Sequence, residues 1–150
     1  MRRMFLWVLA SLSAGCGDGY ARTKEVGNVV PVHGTVTYQS KGLENFTVSF
    51  VPEDEKGRAA VATTDATGYF RLGTNKPGDG AAVGSYRVVL TYVGPQEDQE
   101  QYVGRGPVEG ADKPLRPPIE IPVKYTKFET TPLAFDVSKE GLPDMKIELK

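Results

Sequence analysis

From Val30 onward the apolar residues alternate with polar ones, and Gly, Pro and Asp interrupt the alternation about every 8 to 15 positions. A strand sends successive side chains to opposite faces, so a period of two builds one apolar and one polar face. A helix instead needs apolar residues at i, i+3, i+4 and i+7, and no window of helical length beyond the first residues has that spacing. Val30, Val32, Val36 and Tyr38 share one face with Gly34 in register; Phe46, Val48 and Phe50 share another, and Tyr86, Val88, Leu90 and Tyr92 a third. Shorter segments at 59–64 and 69–72 follow the same rule. Three C-terminal runs do so as well: Ile121, Val123, Tyr125; Leu133, Phe135, Val137; and Met145, Ile147, Leu149. The pattern predicts an all-β, immunoglobulin-like antiparallel β-sandwich of about seven or eight strands over residues 29–150. Its core is the union of these faces.

The first residues follow a different logic. Met1-Arg2-Arg3 is basic, residues 4–12 are apolar, and Ser13-Ala14-Gly15 are small, which is the order of a secretory signal. The apolar run falls short of the roughly 20 residues that cross a bilayer as a helix. It ends at Cys16, the single cysteine of the chain. Leu12-Ser13-Ala14-Gly15-Cys16 resembles the bacterial lipobox, with Ser13 in the place where Leu is usual. That resemblance implies removal of residues 1–15 and lipidation of Cys16, with acyl chains such as palmitate holding the mature chain to a membrane at about 0.8 kcal/mol per buried methylene. Residues 16–28 then read as a flexible tether. Gly17, standing where Asp would signal inner-membrane retention, points to the outer membrane.

Composition narrows what the sandwich does. Lys and Arg number 18 against 19 Asp and Glu, so no basic excess exists to neutralise a nucleic-acid backbone. One cysteine and one histidine cannot build a disulfide framework or a zinc cage, and neither a metal nor a cofactor is expected. Glu53-Asp54-Glu55 lacks the spacing of a calcium loop and reads as solvated turn charge. His33 falls on the face opposite Val32 and Val36, as a partly exposed strand residue with no partner nucleophile singled out. Pro122 and Lys124 are of the kind that blunts an edge strand. Residues 94–118 interrupt the alternation with Gly, Pro and charge, and such a long loop reads as a spacer or a partner-contact segment.

Two turns are legible. In Thr64-Asp65-Ala66-Thr67-Gly68-Tyr69-Phe70 the Asp65 carboxylate accepts backbone hydrogen bonds, Gly68 supplies a positive φ, and Phe70 returns to the core, which predicts a hairpin. Lys76-Pro77-Gly78-Asp79-Gly80 is a second turn, ahead of the strand opened by Gly84. With Val32-His33-Gly34-Thr35-Val36, Val48-Ser49-Phe50-Val51-Pro52 and Ile121-Pro122-Val123-Lys124-Tyr125, these segments resemble the carboxypeptidase regulatory-like domain. That is a transthyretin-like (prealbumin-like) β-sandwich found in bacterial lipoproteins. The resemblance implies a non-catalytic accessory or binding module and no enzyme. The hydrolase branch of the transthyretin-like fold closes on Tyr-Arg-Gly-Ser, whereas this chain closes on Ile147-Glu148-Leu149-Lys150. The expected partners are the membrane through Cys16 and an envelope protein or a glycan. Tyr69, Tyr102 and Arg105 are the candidate binding residues, and a surface carbohydrate-binding module is the alternative reading.

Overall fold

The computed structural model describes residues 25–95 and 116–150. Ten strands and one short helix occur among them: β1 Val29–Val30, β2 Val32–Tyr38, β3 Lys41–Gly42, β4 Phe46–Pro52, β5 Ala60–Thr63, β6 Tyr69–Arg71, β7 Ala81–Ala82, β8 Gly84–Tyr92, a 3-10 helix at Val123–Thr126, β9 Ala134–Val137 and β10 Leu142–Leu149. Three of the ten are only two residues long, and the remaining strands coincide with the alternating runs of the sequence.

Two four-stranded sheets face each other. One has the order β5-β4-β8-β9, antiparallel throughout. In the other, β2 pairs with β10 on one side, while β6 and β3 share its opposite side end to end, β6 beside His33 to Thr35 and β3 beside Thr37 and Tyr38. A small antiparallel pair, β1 with β7, closes one end. The apolar faces meet between the sheets: Val32, Val36, Phe70, Ile147 and Leu149 from one, and Phe46, Val48, Phe50, Val88, Leu90 and Val137 from the other, none more than 5% exposed. Each such side chain stabilises the fold by roughly 1.5–3 kcal/mol. Phe50 joins the layers, its ring 6.4 Å from Phe70, 5.9 Å from Tyr86 and 6.0 Å from Phe135.

The all-β sandwich expected from the sequence is the fold observed, and three details of it are corrected. The sandwich is not antiparallel throughout, because β10 runs parallel to β2. Leu142 donates its N–H to the Pro31 carbonyl, so the last strand starts beside the first residues of β2 and follows it in the same direction. Between Leu142 and Met145 the register slips by a bulge at Pro143-Asp144, and the bulge lays the Met145 carbonyl over Gly34. A Cβ at Gly34 would lie 2.1 Å from that oxygen, which is why the apolar face of β2 carries a glycine there. The turn at 64–70 forms, yet β5 and β6 do not make a hairpin ladder; β5 pairs with β4 and β6 with β2, so the turn carries the chain from one sheet to the other. Only the bridge between Val61 and Gly73 ties the two legs further along.

The third correction concerns Ile121, Val123 and Tyr125, which do not form a strand. Pro122 cannot donate to a ladder, and the segment turns instead into the 3-10 helix, with Val123 65% exposed and Tyr125 buried as its alternation required. The Tyr125 hydroxyl accepts from Lys150 N–H (2.9 Å) and donates to the Lys150 carbonyl oxygen (2.8 Å), tying the helix to the end of β10. Val26, in the segment read as a tether, is held by the fold. Val26 donates to Asn75 Oδ1 (2.9 Å) and accepts from Asn75 Nδ2 (2.8 Å), an amide clamp just ahead of Val29. A similar economy appears at Thr64, buried between β4 and β5, whose hydroxyl accepts from Phe46 N–H (2.9 Å) and donates to the Phe46 carbonyl (3.2 Å). No buried side-chain nitrogen or oxygen lacks a partner among the described residues, and no helix among them is long and apolar enough to cross a membrane.

Candidate functional site

The Asp65 turn positions the most exposed part of β6. Asp65 Oδ1 accepts from Thr67 N–H (2.8 Å), the Thr67 hydroxyl (2.7 Å) and Tyr69 N–H (3.0 Å). Gly68, at φ 79°, reverses the chain in a conformation an L side chain rarely adopts. The Thr67 hydroxyl, helped by the backbone N–H groups of Thr67 and Tyr69 against the opposing effect of burial, holds the Asp65 carboxyl below the ordinary carboxylate range. The turn therefore keeps a fixed negative charge at neutral pH. Oδ2 takes none of these bonds and remains an acceptor.

β6 leaves this turn with Phe70 inward and Tyr69 and Arg71 outward. Tyr69, 40% exposed, is a ridge with a depression on each side. On one side a groove of about 550 Å³ opens where β5 and β6 diverge, lined by Val61, Thr63, Asp65, Arg71 and Pro77. On the other a smaller hollow of about 150 Å³ is lined by Thr35, Asp144, Met145 and Lys146. The β2 register places Tyr69 opposite Thr35 and Arg71 opposite His33. The His33 ring centre lies 6.2 Å from that of Tyr69 at 46°, so the two rings do not share a plane. Among the described residues no ion pair engages Arg71, which leaves its guanidinium on the groove wall as a cation. The face thus combines one aromatic surface, hydroxyls, a carboxylate and a planar cation.

The other sequence candidates are dispersed. His33 Nδ1 accepts a long bond from Asp144 N–H (3.4 Å) and lies 3.6 Å from Asp144 Oδ1, while no hydroxyl among the described residues is bonded to it. Glu53 Oε1 accepts from Arg87 Nε (3.1 Å), and Asp54 caps its own turn through Lys56 N–H (3.0 Å), so the acidic run points in different directions. No group of three His, Cys, Asp or Glu that could hold a metal occurs among the described residues. Asp79 gathers Thr74 N–H (2.7 Å), Asn75 N–H (3.1 Å) and Lys76 N–H (3.1 Å), a structural turn. Cys16, Tyr102, Arg105 and most of the 94–118 loop lie outside the described residues.

The sequence singled out Tyr69 as a candidate binding residue and Asp65 as a turn residue, and gave no sign of Arg71, Thr35 and Lys146 beside Tyr69. These are its neighbours through strand register, and a register between distant strands leaves no local signal in the chain. Compared with known protein families, curated proteins and solved structures, the chain matches none.

Proposed function

We propose that this chain is an exported, lipid-anchored β-sandwich of the bacterial envelope, a non-enzymatic binding or structural component resembling the carboxypeptidase regulatory-like lipoproteins. The observation that carries the reading is the lipobox-like Leu12-Ser13-Ala14-Gly15-Cys16 at the end of the signal-like segment, and the Asn75 clamp holds Val26, a few residues further on, to the sandwich. A diacylglyceryl group on Cys16 would hold the sandwich close to a membrane surface, since few residues separate Cys16 from Val26. With Gly17 next to Cys16 the expected destination is the outer membrane.

The test is labelling of producing cells with an alkyne analogue of palmitate, followed by fractionation of wild-type and Cys16→Ser chains. Label confined to the wild type, and membrane association lost in the variant, support the reading; an unlabelled, soluble mature wild type sinks it.

A second reading, a surface carbohydrate-binding module, is favoured by one observation. Tyr69 stands exposed between two depressions bordered by hydroxyl and charged side chains, the mixture of aromatic face and polar rim that sugar rings use. Titration of envelope glycans against the Tyr69 ring resonances, with Tyr69→Ala as control, tests it. The absence of a saturable shift removes it.

A further inference from the structure

β10 is a rim strand of its sheet, and its charges follow a rule. On β2, Val32 and Val36 direct their backbone groups toward β6 and β3, through Leu72 N–H to the Val32 carbonyl, Val36 N–H to the Gly68 carbonyl and Leu43 N–H to the Val36 carbonyl. Thr35 and Thr37, of the opposite parity, therefore serve β10. In a parallel pair the residue opposite each of these points its own N–H and C=O the other way, so Lys146, opposite Thr35, and Glu148, opposite Thr37, direct theirs to the outer rim. Lys150 has the same parity, and both of its backbone groups meet the Tyr125 hydroxyl. No strand among the described residues pairs with β10 on that side.

Past the bulge at Pro143-Asp144, the exposed residues of the same parity are Lys146, Glu148 and Lys150, with charges that alternate in sign. We infer that β10 pairs antiparallel with β10 of a second copy, about a two-fold axis at Ile147. The charges select that register. Centred on Ile147, Lys146 faces Glu148 twice, and both pairs are opposite in sign. Moved to a centre at Lys146, Lys146 faces itself. Moved to Glu148, that residue faces itself and Lys146 faces Lys150. Both neighbouring registers set like charges against each other, and shifts of odd parity turn the backbone groups away from their partners.

In the selected register, Lys146 and Glu148 exchange backbone hydrogen bonds across the axis at the two positions whose groups point outward. The Tyr125 hydroxyl ends the pairing at Lys150. The interface is isologous, so it closes at two copies and uses up the β10 rim of each. It joins the two β2 sheets into one, with both Tyr69 faces on the same side.

Sedimentation equilibrium of the chain carrying Cys16→Ser tests this. The expected result is a concentration-dependent dimer, weakened about tenfold or more by Lys146→Glu and restored by Lys146→Glu with Glu148→Lys, since the double exchange rebuilds opposite pairs. A second measurement reads the register. A mixture of Lys146→Cys and Glu148→Cys chains forms an intermolecular disulfide, while Lys146→Cys alone does not, because directly opposed strand residues bring their Cα atoms to about 5.5 Å. A chain that stays monomeric up to about 1 mM, or a dimer indifferent to the charge reversal, overturns the inference.

Discussion

Replacing Gly34 by Ala adds one carbon to the most crowded point between β2 and β10. That Cβ would lie 2.1 Å from the Met145 carbonyl oxygen, 2.4 Å from Met145 Cγ and 2.9 Å from Met145 C. The side chain of Met145 can swing aside, but its carbonyl is fixed by the bulge after Leu142, so the main chain of β10 must retreat by about 1 Å. Overpacking of a core by a single carbon costs about 1–3 kcal/mol, and a clash with backbone belongs at the upper end of that range. The expected loss is about 3 kcal/mol, a fall of about 10 °C in Tm for a domain of this size.

Thermal and urea unfolding of purified wild-type and Gly34→Ala chains measure it. Gly27→Ala is the control, because a Cβ there meets nothing within 4 Å. That substitution is expected to stay within about 0.5 kcal/mol of the wild type. If Gly34→Ala also stays within about 0.5 kcal/mol, the close parallel packing of β2 on β10 is refuted as the reason for the glycine.

Thr64→Val removes the hydroxyl that satisfies Phe46 N–H in a buried position, for an expected loss of about 1–3 kcal/mol, and Thr64→Ser recovers most of it in the same urea titration. Asp79 shows how the turns respond to acid. Burial alone would raise its carboxyl, but the N–H groups of Thr74, Lys76 and Asn75 outweigh burial and lower it, as the Thr67 hydroxyl and nearby N–H groups lower Asp65. A carboxyl lowered in the folded state adds stability above its unfolded value of about 3.9, and that stability is lost as pH falls through the folded value. Tm is therefore expected to drop below about pH 4, and the Asp65→Asn and Asp79→Asn chains to show a shallower drop than the wild type. An unchanged slope would remove the two turns from the acid response.

The parts of the fold that sequence made legible are those whose cause is local. Alternation reveals β2, β4 and β8 because each apolar residue reports its own face, and the Asp65 turn is readable because acceptor, donors and Gly68 lie within a few residues. Ile121, Val123 and Tyr125 alternate as a strand does, but the pattern records burial of Tyr125 rather than a ladder, and Pro122 had already removed a donor. The parallel course of β10, the Val26 clamp and the surroundings of Tyr69 depend on residues far apart in the chain. Val26 and Asn75 carry no periodicity or turn chemistry that would announce each other.

The pairing of β2 with β10 also sets a clock. His33 and Asp144, neighbours across that pair, are separated by 111 residues. Contacts of such long separation form late, because the loop must close before they stabilise anything. At about 5–20 residues per second, synthesis supplies the partner of β2 on the order of 10 seconds after β2 itself. Throughout that interval one whole side of β2 has no strand to pair with, and the sandwich cannot shut. Were the chain exported as proposed above, it would still be open when it met the translocation machinery, and would stay threadable for as long as β10 was unmade.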